Sequence, residues 1–267
     1  MNTSHGTPQH TSGRGTVELG YIALGDGPTL VAVHGGLLDG RLTFGPVLAD
    51  WARHFRVLVP DRRGFAHSPG PDGTIAEQAR DLEAFIDTHA GGRAHVLGFS
   101  FGGVVALTAL QLERRLFSSL TVVEAPAVTL CGGDREALEL RIWLGQLYDA
   151  AVDGDAALRD FFEVMDPRAL GRIDALAAAG DPGLHVALDE LRVWRTPLSP
   201  AGLAGSRVPT LVVTGERSPQ SLRAVGRRVA EATGGRHHVL ASAGHAAHLA
   251  GPPFRELLRA HIATADA

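Results

Sequence analysis

The chain has 267 residues, 45% hydrophobic and 20% charged, with a formal net charge of −4. That length and balance fit a soluble enzyme with a sizeable core, and the mild acidity argues against a nucleic-acid or anionic-membrane partner. A single cysteine, Cys131, excludes an intrachain disulfide and fits a reducing, cytoplasmic setting, where it reads as a small apolar core residue.

Residues 1–14 are rich in Ser, Thr, Gly, His and Gln, which predicts a disordered tail rather than a secretory signal or an anchor. From residue 15 onward, strand-like and helical patterns alternate. Thr29–Val33 is an apolar β run that ends at His34-Gly35-Gly36, a helix is expected around Phe44–Arg53, and Arg56–Pro60 is a second strand. Ile75, Ala79, Leu82, Phe85 and Ile86 recur at helical spacing across Ile75–Ala90. Ala94–Leu97 reads as a short buried strand, residues 102–110 as a helix, and Leu120–Glu124 as the next strand. The uncharged run Ala94–Leu112 is not a membrane span, because it is short and its glycine-rich turn leaves backbone groups unsatisfied in lipid.

Between Pro126 and Arg207 there is no strand pattern; Glu136–Asp153, Ala156–Met165 and Gly183–Trp194 look helical instead. Strands resume at Pro209–Thr214 and His237–Leu240, with helices at Ser221–Thr233 and Pro253–Thr264. The alternation predicts an α/β fold, a mostly parallel sheet with helices on both faces. Its core comprises residues 15–126 and 207–267, and residues 127–206 form a helical cap inserted before the last two strands. A cap there covers the carboxyl edge of the sheet, where parallel sheets bind ligands.

Ser100 stands at the centre of Gly98-Phe99-Ser100-Phe101-Gly102, between the Ala94–Leu97 strand and a helix. Glycines on both sides permit a sharp strand-to-helix turn that presents the hydroxyl to a cleft, as a nucleophile elbow does. A serine hydroxyl needs an adjacent base, and His245, in a glycine-bearing loop after the last strand, is the candidate. His248 reads as a packed neighbour. The two histidines lack an accompanying carboxylate or cysteine, so no metal is expected. The oxyanion of an attacked carbonyl needs two backbone N–H groups. Phe101 is expected to supply one and Gly36 the other, with Leu37 as the alternative to Gly36.

These marks together resemble the α/β-hydrolase superfamily from about Thr16 to Ile262. His34-Gly35-Gly36, the elbow and Gly244-His245 stand in the family's order, and Asp61–Ser68 resembles its D-x-R-G-x-G-x-S loop with Ala66 in place of a glycine. The resemblance implies an acid after the strand that follows the cap, usually as G-x-x-D. Here that stretch is Gly215-Glu216-Arg217-Ser218, with serine at the aspartate position. Glu124, at the end of the strand after the elbow helix, is the favoured replacement. Haloalkane dehalogenases and zearalenone-type lactone hydrolases carry their acid there, and the latter also use a serine nucleophile. Glu216, a cap carboxylate or no acid at all stay open.

A serine at the elbow argues against dehalogenase or epoxide hydrolase activity, since most such relatives use aspartate there. The expected activity is hydrolysis of a small-molecule carboxylic ester or lactone through an acyl-enzyme, with no cofactor. Leu37, Phe99, Trp143 and Trp194 are candidate substrate contacts, and Arg192 or Arg195 a possible cation for charged substrates. A thioesterase, cyclase or carbon–carbon bond hydrolase uses the same residues, and a non-catalytic ligand receptor is the reading that the vacated Ser218 position favours.

Overall fold

A computed structural model describes residues 4–6, 15–70, 73–150, 154–167, 170–180, 193 and 195–267. The apolar runs become the centre of one sheet: β3 (Thr29–Val33), β4 (Arg56–Pro60), β5 (Ala94–Phe99), β6 (Phe117–Val123) and β7 (Thr210–Gly215). All are buried along almost their whole length, because helices cover both faces and neither side of the strand meets water. Alternate residues feed two cores. Val31, Val96, Val122 and Val212 face one, while Leu30, Leu97, Val123 and Val213 face the other.

The sheet has eight strands in the order β1-β2-β4-β3-β5-β6-β7-β8, with β8 at Arg236–Leu240. Pairings from β4 through β8 are parallel, and β1 and β2 add antiparallel at one edge. Two elements depart from expectation. β2 (Tyr21–Leu24) has half-buried residues throughout and no alternation to announce it. β1 (Ser4–Gly6) falls inside the expected disordered tail; Ser4 pairs with Ala23 and Gly6 with Tyr21, so those three residues are ordered by backbone pairing rather than by apolar content.

One face carries α2 (Ile75–His89), α3 (Phe101–Leu112) and α8 (Gln220–Thr233); the other carries α1 (Gly40–Trp51) and α9 (Pro252–Ala265). Between β6 and β7 the described residues contain no strand but four α-helices: α4 (Arg135–Ala150), α5 (Gly154–Met165), α6 (Leu170–Ala179) and α7 (Pro200–Ala204). The helix expected over Gly183–Trp194 lies, except for Val193, outside the described residues. No described helix is long and apolar enough to cross a membrane.

Candidate active site

Five segments meet at the carboxyl edge of the sheet: the loops after β3 and β8, the elbow after β5, the end of β6 and the turn after β7. At the elbow Ser100 adopts φ 50° and ψ −121°, a conformation that L-residues reach only under constraint. The constraint comes from both sides. The Ser100 N–H donates to the Val123 carbonyl at 2.8 Å, and the Gly103 N–H donates back to the Ser100 carbonyl at 2.9 Å. A Cβ at Gly102 would sit 2.3 Å from the His34 carbonyl oxygen, so the helix can start this close to β3 only with glycine.

His245 Nε2 lies 3.2 Å from Ser100 Oγ, and its Nδ1 lies 3.4 Å from Glu124 Oε2. Ser100 and His245 are buried, and Glu124 is wholly inaccessible. The other carboxylate oxygen, Oε1, accepts the Gly215 N–H and the Ser218 hydroxyl, the latter at 2.7 Å. Glu124 is itself held at φ 55° by its N–H donating to the Val213 carbonyl at 3.0 Å. Ser218, the position that looked vacated, therefore touches the acid candidate, a contact that no residue pattern announces. Glu216 lies elsewhere: it is exposed, and its Oε2 accepts the Ser242 N–H at 2.9 Å.

The elbow opens into a cavity of about 380 Å³. Gly36, Leu37, Phe99 and Phe101 all line it, joined by Leu144, Leu158, Phe161, Phe162 and Val193 from the segment between β6 and β7. Leu37 takes φ 71°, which turns the loop after β3 along the cavity wall. Trp143 is not in the lining; its ring stacks behind Phe161, centroids 5.8 Å apart, and so supports the wall instead of forming it. Trp194 and Arg192 lie outside the described residues, and Arg195 sits over the Tyr148 ring at 5.7 Å.

Two other histidines near the site are fixed as neutral rings. His248 donates Nε2–H to the Thr43 carbonyl at 3.3 Å, and burial pushes its pKa down to about 3. His34 accepts the Arg62 N–H on Nε2 at 2.9 Å; burial, and then the Arg62 charge, hold its pKa well below the ordinary value. The Asp61–Ser68 loop is bound to the scaffold. Ser68 Oγ donates to the Asp61 carbonyl at 2.5 Å and accepts the Gly20 N–H at 3.0 Å, and Ala66 takes φ 40° at its glycine position. Burial pushes the Cys131 thiol up to about 12, which keeps it an inert core group. Among the described residues no cluster of three potential metal ligands occurs.

Residues 30–258 match the family described as "Alpha/beta hydrolase family". A pimeloyl-[acyl-carrier protein] methyl ester esterase of Aeromonas salmonicida (strain A449) is 34% identical over 106 residues, 38% of this chain and 40% of that protein. A 2-hydroxy-6-oxo-6-(2'-aminophenyl)hexa-2,4-dienoic acid hydrolase of Metapseudomonas resinovorans is 30% identical over 114 residues, 41% of this chain and 39% of that one. The chain thus spans about 40% of the length of these curated relatives. Among solved structures, Est816, described as an N-acyl homoserine lactone degrading enzyme, superposes with a TM-score of 0.75 at 23% identity, covering 94% of this chain and 99% of that one.

Proposed function

The chain belongs to the alpha/beta hydrolase family, and from that premise we propose that it is a serine hydrolase of small carboxylic esters or lactones. The observation that carries this reading is the continuous path from Ser100 Oγ through the His245 ring to the buried Glu124 carboxylate. Ser100 Oγ attacks the substrate carbonyl while its proton passes to His245 Nε2. Glu124 orients the ring through Nδ1 and stabilises the imidazolium that forms. The N–H groups of Gly36 and Phe101 hold the oxyanion. Collapse expels the alcohol, which takes the proton from His245. Water, deprotonated by the same ring, then releases the acid from Ser100.

The cavity supports a predominantly apolar substrate. Its wall is aliphatic and aromatic, with Thr43, Asp166 and His248 as polar exceptions beside Ser100 and His245. Its described lining contains no Arg or Lys to receive a carboxylate. A neutral ester or lactone suits that described lining. The esterase and lactonase names among the similar proteins point the same way. Helices α4 and α5 act in this reading as a cap, since Leu144, Leu158, Phe161 and Phe162 line the cavity. The Glu124–His245 contact also counts against the reading as a non-catalytic receptor.

The test is burst and steady-state kinetics with p-nitrophenyl acetate and butyrate. Ser100→Ala is expected to abolish turnover. Glu124→Gln should lower kcat by roughly 10³–10⁴-fold, as loss of a triad carboxylate does. Glu216→Gln should behave as wild type. A wild type with neither burst nor turnover on these and on simple lactones overturns the proposal, and an active Glu124→Gln overturns the assignment of the acid.

A further inference from the structure

Two peptide groups make the oxyanion hole in this reading, and a single side chain touches the carbonyl of the first, at Gly35, and the ring of Phe101, which bears the second N–H. Arg62 is 3% exposed. Its Nη2–H donates to the Gly35 carbonyl at 2.8 Å, and its guanidinium lies 4.6 Å from the centre of the Phe101 ring. The Gly35 carbonyl shares its peptide plane with the Gly36 N–H. The Gly35–Gly36 bond is trans, so the two point in opposite directions across that plane. Fixing the carbonyl therefore fixes the direction of the N–H.

The carbonyl is fixed twice. His34 Nδ1 donates to the same oxygen at 2.9 Å, and it does so because the Arg62 backbone N–H occupies Nε2 and leaves the proton on Nδ1. Arg62 thus holds the Gly35 oxygen directly through its side chain and indirectly through its main chain. Its own place is set by Gln78 Oε1, which accepts from Nη1 at 2.7 Å, and by the Phe65 ring, 4.6 Å away on the guanidinium. A charged donor on a carbonyl also strengthens the dipole of that peptide, which makes its N–H a better donor to a developing oxyanion.

We propose that Arg62 is the positioning residue of the oxyanion hole, aiming the Gly36 N–H through the Gly35 carbonyl and holding the Phe101 turn against it. This inference rests on the serine-hydrolase reading above. It predicts that Arg62 matters to the transition state and not to substrate binding, because nothing in the ground state needs the full strength of those two donors.

The probe is phenylethaneboronic acid. Ser100 Oγ adds to the trigonal boron and gives its proton to His245, forming a tetrahedral anion with an oxygen where the oxyanion sits; no group leaves. Arg62→Met is expected to lower kcat on p-nitrophenyl butyrate by about 10- to 100-fold, somewhat less than the loss of a whole oxyanion donor. KM should stay within about twofold, and the inhibition constant of the boronic acid should weaken by the same factor as kcat. Arg62→Lys, which keeps the charge but carries its donors on a single nitrogen, should fall between Arg62→Met and wild type, and it carries the test if Arg62→Met does not fold. Wild-type kcat and boronate affinity in the variants, or a change confined to KM, overturns the inference while leaving the hydrolase reading intact. A wild type that neither turns over nor forms an adduct sensitive to Ser100→Ala overturns both.

Discussion

At Ser218 a hydroxyl stands where most relatives of the family carry their acid, and it donates to Glu124 Oε1 at 2.7 Å. With the Gly215 N–H on the same oxygen, the carboxylate cannot rotate, and Oε2 is left facing the His245 ring. Restoring the usual residue should therefore harm the site. Ser218→Asp would put a second carboxylate against a fully buried first one, where two negative charges cannot both persist. We expect Ser218→Asp to lower both kcat and the thermal midpoint. Ser218→Ala, which only removes a donor, should cost about tenfold in kcat with KM unchanged, in line with one hydrogen bond to a charged group. Steady-state kinetics and thermal melts of the two variants check this; an aspartate variant as active and stable as wild type would contradict the exclusion of a second carboxylate beside Glu124. Glu124 could be singled out from the sequence because the usual position was empty. The service of Ser218 could not, since a hydroxyl carries no sign of the oxygen it will meet.

The elements that set the site differ in what their sequences reveal. β3, β5, β6 and β7 are buried and mostly apolar because helices cover both faces, and their Val- and Leu-rich stretches stand out despite His95 in β5 and Ser119 and Thr121 in β6. β1 is the edge strand and β2 lies between it and β4; both contribute backbone pairing, for which Ser4-His5-Gly6 and Tyr21–Leu24 carry no pattern. The same distinction explains Trp143. Aromatic content marked the segment between β6 and β7 as a cavity wall, but which face of α4 looks inward depends on packing, and Phe161 intervened. The elbow depends on glycine for close approach. A Cβ at Gly98 would meet the Gly102 carbonyl oxygen at 2.6 Å, and one at Gly102 would meet two carbonyl oxygens of the β3 exit at 2.3 and 2.5 Å. Gly102→Ala should therefore shift α3 and lose activity, with a stability cost of about 1–3 kcal/mol. Thr74 provides the contrast: it forms a capping box with Glu77 at the start of α2, on the exposed surface. Thr74→Ala should cost about 1 kcal/mol and leave kcat unchanged. Melting curves and p-nitrophenyl butyrate kinetics on both variants separate the two roles; a Gly102→Ala enzyme with full activity would contradict the elbow geometry.

The whole molecule holds several histidines neutral, four of them buried and two half-buried, and this gives it a defined weakness toward acid. Burial lowers the pKa of His34, His89, His95, His237, His248 and His261, with His248 at about 3 and His261 at about 4. In the unfolded chain each titrates near 6.5. Above that pH both states are neutral and no penalty exists. Below it the unfolded chain takes up protons that the native state refuses, so stability falls as pH drops from about 6.5 toward the folded values. Each refused proton costs about 1.4 kcal/mol per pH unit, so His248 and His261 together remove roughly 2–3 kcal/mol between pH 5.5 and 4.5. The carboxylates with lowered pKa, Asp50, Asp134, Glu77 and Glu256, act at still lower pH, beneath their ordinary values near 4. Urea midpoints across pH 7.5 to 4.5 should therefore decline well before those carboxylates protonate. His248→Gln keeps an amide donor for the Thr43 carbonyl but cannot titrate. Its stability curve should be shallower by about one proton over that range. A curve parallel to wild type would mean that the His248 ring is not held neutral, and the acid lability would have to come from elsewhere in the core.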